Sequence, residues 1–322
     1  MSKAISYKTK QFLLSLIKIG LVVAAFYFIY TKLFKNSDFH FDEFKYNLME
    51  FSSISMISVL YLAFLSFLNW FIEILKWQTL INSISEITLT NAARQTLGAL
   101  TASLFTPNRI GEYGAKAMYY PPHHRKKIML LNGISNSVQM LITTVFGVVG
   151  FSYFTVRFQP QLNYSTFFIW FLILGFILFS SVYILKMKWF KKQLKPIYKS
   201  YTFLKSISTK TLFNTLLLSL IRYLIFSFQF YYLLLLFGIE MDYFEAMAII
   251  STMYLLSSIM PSIFIFDIVI KGGVAIYLFG LIGVSKAIIL TIITLMWLSN
   301  FVLPSIIGSY FVLSFKLPKT VS

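Results

Sequence analysis

Six apolar runs, at residues 12–30, 52–72, 128–153, 167–185, 212–237 and 285–313, constrain this chain more than any other feature. Each is long enough to cross the roughly 30 Å hydrocarbon core of a bilayer as a helix. Lipid offers the backbone no hydrogen-bond partner, so a crossing run must satisfy its own amides and carbonyls, and an α-helix does that within one segment. Only 12% of the residues are charged, against about a quarter in a soluble domain. The expected fold class is therefore all-α, a single polytopic transmembrane helical bundle over residues 1–322. With no cysteine, disulfides, thiolate chemistry and Cys-ligated metals are excluded.

Charge placement gives the expected topology. Lys3, Lys8 and Lys10 precede the first run, which is long enough to span and lacks a small-residue cleavage site, so it reads as a retained helix. The loop at 31–50 mixes three lysines with Asp38, Asp42, Glu43 and Glu50 and reads as outside. His123, His124, Arg125, Lys126 and Lys127 read as cytoplasmic, as does the segment 186–210, with eight lysines and no acidic residue. That segment would be either a solvated loop or an interfacial helix on anionic headgroups. Lys316 and Lys319 put the C-terminus inside, so both ends are expected on the cytoplasmic face. Trp70, Glu73, Lys76 and Trp77 read as the interfacial close of the second run. The net charge of +17 follows this placement and is no sign of nucleic acid.

Two stretches break the pattern. In residues 100–120 the apolar sequence is interrupted by Pro107, Arg109, Gly111, Glu112 and Lys116. In the second, Pro261 is followed by Asp267, Lys271, Gly272 and Gly273. Each proline ends or kinks a helix. Each has an acid four residues before a lysine, the favourable order for an ion pair on one helical face. By the charge bias the first break is entered from inside and the second from outside, which predicts two re-entrant segments beside about six full spans. An eight-span arrangement gives the same end topology. Opposed breaks of this kind point to an inverted repeat, with halves at 11–160 and 211–315 joined by the lysine-rich segment.

Ionised groups at membrane depth are tolerated only against protein or a water-filled cavity. Arg109 can fork onto a phosphate, Lys116 would add a point charge, and Glu112 would orient or gate them. The bland alternative is that Glu112 only neutralises Lys116. Asp267 and Lys271 would form the opposed gate or a purely structural pair. Gly272 and Gly273 would admit a neighbouring helix or break their own. Arg222 and Gln229, seven apart on one helix, are weaker cavity candidates, as is Arg94; Asn69 and Glu73 would serve the cavity or only cap a helix. A metal site at His123 and His124 is not expected, nor any cofactor. No phosphate-binding glycine loop, HExxH helix or GxSxG elbow occurs.

The block TPNRIGEYGAK at residues 106–116 resembles the first motif of the lysylphosphatidylglycerol synthase transmembrane-region family of flippase-like membrane proteins, with Arg109, Gly111, Glu112 and Lys116 matching position by position. LSSIMPSIFIFDIVIKGG at 256–273 occupies the place of its second proline- and glycine-rich block. Pro261 is kept there, but the acid precedes the base, a departure from the family's Arg-Glu-like order. The resemblance covers about residues 11–313. It implies movement of lipids or lipid-linked precursors between leaflets in some members. The soluble aminoacyl-transfer domain of the synthases has no counterpart here, so lysyl-lipid synthesis is not implied. The expected function is transbilayer movement of an anionic, phosphate-bearing lipid or polyprenyl-linked precursor, with a transporter favoured over an enzyme. A membrane-embedded lipid-phosphate transferase and a structural or recruiting protein are the alternatives. A homo-oligomer and an envelope-biosynthesis partner both stay open.

Overall fold

The computed structural model describes residues 55–104, 106, 109–158, 202–259 and 264–316 and positions 20, 23, 27 and 49; for 264–270 it gives the backbone alone. The expected spans at 12–30 and 167–185, most of the 31–50 loop, the lysine-rich segment up to residue 201, Pro107, Pro261 and the Asp267 side chain lie outside the described residues. The regular structure that is described is entirely helical. It comprises α1 (Met56–Ile81), α2 (Leu89–Ser103), α3 (Gly111–Met118), α4 (Pro122–Phe158), α5 (Thr209–Leu236), α6 (Tyr243–Ile259), α7 (Phe264–Gly280), α8 (Lys286–Trp297), a π-helical turn (Leu298–Val302) and α9 (Leu303–Ser314). Four stretches are long and apolar enough to cross a membrane: α1, α4, α5 and the continuous Lys286–Ser314. The all-α bundle expected from the apolar runs is the fold observed.

Local signals set the helix starts. Ser55, Thr88 and Ser208 each turn a side-chain oxygen onto a backbone amide of the first turn, satisfying one of the donors that a helix leaves open there.

The two short pairs of helices are built into opposite ends of the bundle. Helices α2 and α3 return to the level where they began, because Tyr119 Oη donates to the Arg94 carbonyl at 3.2 Å and Tyr120 Oη to Gln95 Oε1 at 3.0 Å. The last residues of α1 and α9 lie at this same end, through the Trp77 Nε1 to Gln95 bond at 2.8 Å and the Tyr119–Phe315 ring contact at 4.7 Å. Helices α6 and α7 reach in from the other end. Tyr243 at the start of α6 meets Tyr231 at 5.1 Å, and Phe279 near the end of α7 stacks on Phe230 at 5.7 Å. Arg157, closing α4, pairs there with Glu245 at 2.9 Å. Each helical pair has its own apolar core: Trp77, Leu80, Leu100, Ile128 and Leu131 around the first, and Phe230, Leu234, Ile250, Phe279 and Ile292 around the second.

Close packing falls at glycines other than the expected pair. At Gly308 of α9 an added Cβ would fall onto the Leu97 carbonyl and Thr101 Oγ1 of α2, and Thr101 Oγ1 donates to the Ser305 carbonyl across the same contact at 2.9 Å. A backbone carbonyl cannot move aside as a flexible side chain can. Gly272 and Gly273 correct the expectation placed on them. Both lie inside α7, whose start at Phe264 already follows the break, so no further interruption is needed. A Cβ at Gly272 would meet only Leu290 Cδ2 at 3.5 Å, and one at Gly273 nothing within 4 Å.

This contrast is testable by unfolding in detergent. Gly308→Val should destabilise the protein by about 1–3 kcal/mol through overpacking. Gly273→Ala should leave stability unchanged or raise it by about 0.5–1 kcal/mol, the helix-interior preference of alanine over glycine.

Candidate functional site

The site is organised by two carboxylates that lie inside the bundle. Glu112, in the first turn of α3, accepts from Lys116 Nζ at 2.7 Å on one oxygen and from Arg109 at 3.0 Å on the other. Glu73, on α1, pairs with Lys76 at 2.7 Å and with Arg222 of α5 at 3.1 Å. The lysines are almost wholly buried, at 0 and 1% side-chain exposure, whereas the arginines retain 27 and 21%. Each carboxylate thus holds one lysine inward and one arginine outward.

Helical spacing produces this arrangement. Residues three or four apart share a helical face, so Glu112 reaches Lys116 and Glu73 reaches Lys76, while Arg109 reaches Glu112 from the turn that precedes α3. Arg109 stands in the left-handed backbone region, at φ 56°. The turn is tied by Thr106, whose Oγ1 donates to the Ser103 carbonyl at 2.7 Å and accepts from Gly111 N at 2.9 Å. A side chain at Gly111 would collide with Thr106, its Cβ coming to 2.8 Å from Cγ2. Helix α4 supplies the remaining partners from one polar stripe. Asn132 Oδ1 accepts from Lys116 at 2.8 Å, Asn136 donates to Tyr113 Oη at 3.3 Å, and Gln139 Oε1 accepts from Lys76 at 3.4 Å. Lys116 also lies over the Trp77 ring, 4.2 Å from its centre.

Between the two helical pairs is a cavity of about 390 Å³. Arg109 reaches it from the first pair, Ser257, Ser258 and Lys271 from the second, Arg222 from α5, and Asn136, Gln139, Met140 and Thr143 from α4. Met140 is 42% exposed, so the wall extends to the outer face of α4. Neither Arg109 Nε nor Arg222 Nε meets an acceptor among the described residues. Around the two carboxylates stand four cations, an excess of positive charge that suits an anion.

An amide network closes the cavity behind Asn69. Asn69 Nδ2 donates to Asn300 Oδ1 at 2.9 Å, and Asn300 Nδ2 to Gln229 Oε1 at 2.9 Å. Trp70 Nε1 donates to the Asn300 carbonyl at 2.8 Å. That carbonyl is available because the residue four positions on is Pro304, which has no amide hydrogen and whose ring displaces the i−4 carbonyl. The π-helical turn Leu298–Val302 absorbs the mismatch.

Of the residues picked from the sequence, Asn69, Arg109, Arg222 and Lys271 meet at one cavity. Lys116 does not reach it and is enclosed by Glu112, Asn132 and Trp77. Gln229 is fully buried in the amide network, and Arg94 is an exposed residue at the bundle end. Glu73, Lys76, Trp70 and Trp77 correct their interfacial reading. All four are interior, at 0–6% exposure, because α1 continues to Ile81 and the α2–α3 pair packs over them. Sequence reasoning missed Asn132, Asn136, Gln139 and Asn300. The signal for the first three was their 4, 3 and 4 spacing with Thr143 along one face of α4. For Asn300 it was a lone amide in an apolar run.

The lysylphosphatidylglycerol synthase TM region matches residues 12–308, nearly the whole chain. The chain belongs to that family. Neither a curated protein nor a solved structure matches it. As a member of the lysylphosphatidylglycerol synthase TM-region family it is an integral membrane protein related to lipid handling.

Removing one partner of a buried ion pair strands the other, at a cost of about 3–5 kcal/mol. Glu112→Ala, which strands Lys116, should lower stability by that amount in detergent unfolding. Arg109→Gly should cost clearly less, because Glu112 keeps Lys116 and glycine adopts the left-handed backbone without penalty.

Proposed function

We propose that this protein moves a phosphate-bearing lipid, or a polyprenyl-linked envelope precursor, between the leaflets of a bacterial inner membrane. The observation that carries the reading is the pair of arginines, Arg109 and Arg222, on different elements but at one cavity between the two helical pairs. Guanidinium groups fork onto phosphate oxygens, and both Nε donors have no acceptor among the described residues. The glutamates pre-orient these arginines, so the cost of ordering them on binding is lowered. A cavity of about 390 Å³ suits a headgroup rather than a whole lipid, leaving the chains to follow outside the bundle past Met140.

In this reading the α2–α3 and α6–α7 pairs act as opposed gates, entered from the cytoplasmic and the outer side, and the two halves of the chain form an inverted repeat. Both termini are cytoplasmic. Alternating access follows when one pair yields while the other holds. Lys271, over the Phe301 ring at 5.6 Å, contributes positive charge from the second pair.

Reconstitution tests this directly. With a fluorescent tail-labelled phosphatidylglycerol in proteoliposomes, dithionite quenching reports leaflet exchange. Wild type should accelerate exchange over protein-free vesicles. Arg109→Gly and Arg222→Gln should each slow it about tenfold or more, the scale of a charged hydrogen bond, whereas Arg94→Gln should not. Exchange that is indifferent to both cavity arginines would remove the proposal.

A further inference from the structure

The amide network behind the cavity has a fixed direction. Gln229 Nε2 approaches the Leu62 carbonyl at 3.3 Å and Ser66 Oγ at 2.7 Å. A backbone carbonyl only accepts, so the nitrogen end of Gln229 must face it and Oε1 must face Asn300. Asn300 Nδ2 then donates to that oxygen at 2.9 Å and to the Met296 carbonyl at 3.2 Å. Its Oδ1 is turned to Asn69, which answers with Nδ2 at 2.9 Å. Two backbone carbonyls therefore dictate the amide orientations of three side chains. At the end of the relay Asn69 Oδ1 is an acceptor that no donor among the described residues reaches, on a residue 1% exposed that lines the cavity.

A buried acceptor is costly when unmade and strongly discriminating when a ligand can complete it. The described wall around it supplies donors for a phosphate, through Arg109 and Arg222, and holds no acidic residue. We infer that Asn69 is a specificity-determining residue that accepts a hydrogen bond from a hydroxyl on the cargo headgroup beside its phosphate. The inference rests on the cavity's being a phosphate-lipid site and narrows the cargo to headgroups carrying both a phosphodiester and a free hydroxyl, as glycerol and sugar phosphates do. An ammonium headgroup could also donate to Asn69, but it would stand beside Arg109, Arg222 and Lys271. A hydroxyl supplies the donor without adding a like charge.

The test uses calorimetric titration of the purified full chain with three short-chain lipids having the same tails: phosphatidylglycerol, phosphatidylpropanol and phosphatidylethanolamine. Phosphatidylpropanol keeps the phosphodiester and its single negative charge but has no headgroup hydroxyl. Wild type should bind phosphatidylglycerol about fivefold tighter than phosphatidylpropanol, the scale of one net hydrogen bond, and tighter than phosphatidylethanolamine. Asn69→Ala should bring the glycerol-to-propanol ratio close to one, a change that a general loss of packing would not produce. Equal wild-type affinities for the glycerol and propanol lipids, a preference for phosphatidylethanolamine, or a ratio that survives in Asn69→Ala would each overturn the role of Asn69. The wild-type comparison decides the question even if Asn69→Ala does not fold. Binding of all three lipids that is unchanged in Arg109→Gly would overturn the phosphate-site reading itself, and the inference with it.

Discussion

Two ionised glutamates in the middle of an apolar bundle set the terms for everything around them. A carboxylate taken out of water is costly unless cations and hydrogen bonds meet it. Glu73 and Glu112 are each met twice, by a lysine turned inward and an arginine turned to the cavity. The lysines are in turn enclosed, Lys116 by Asn132 and the Trp77 ring, Lys76 by Gln139. The polar stripe of α4 exists to complete these shells, and the arginines are the part of the assembly that has donors left over.

The broken backbone follows from the same requirement. Arg109 reaches the cavity from a turn that Thr106 and Gly111 tie together. A second irregularity, the π-helical turn before Pro304, frees the Asn300 carbonyl for Trp70 and aims the Asn300 amide at Asn69 and Gln229. Both departures from regular helix deliver polar groups to one side of the same space. The α6–α7 pair brings Ser257, Ser258 and Lys271 to it from the opposite end.

Much of this was legible in the sequence, and the failures have physical causes. The apolar runs located α1, α4, α5 and the Lys286–Ser314 crossing, because hydrocarbon leaves a spanning segment little choice but helix. The spacing of Glu112 and Lys116 located the first ion pair, because positions four apart meet on one helical face. What the sequence could not give was depth. Glu73 and Lys76 stand near the end of an apolar run, where interfacial residues also stand, and only the packing of α2 and α3 over them makes them interior. Lys116 and Arg109 look equivalent in the motif, yet one faces Trp77 and the other the cavity. The long-range amide relay was invisible because Asn300 is joined to Asn69 across 231 positions of chain and to Gln229 across 71, and no local pattern records such contacts.

The central claim is that Arg109 and Arg222 together make a lipid-phosphate site. It is tested most directly by native mass spectrometry with lipid identification on gently purified protein, wild type beside the Arg109→Gly/Arg222→Gln double variant. The account predicts a distinct phosphate-bearing lipid retained by wild type and lost from a double variant that is still folded. Bulk membrane lipids held equally by both proteins would contradict it.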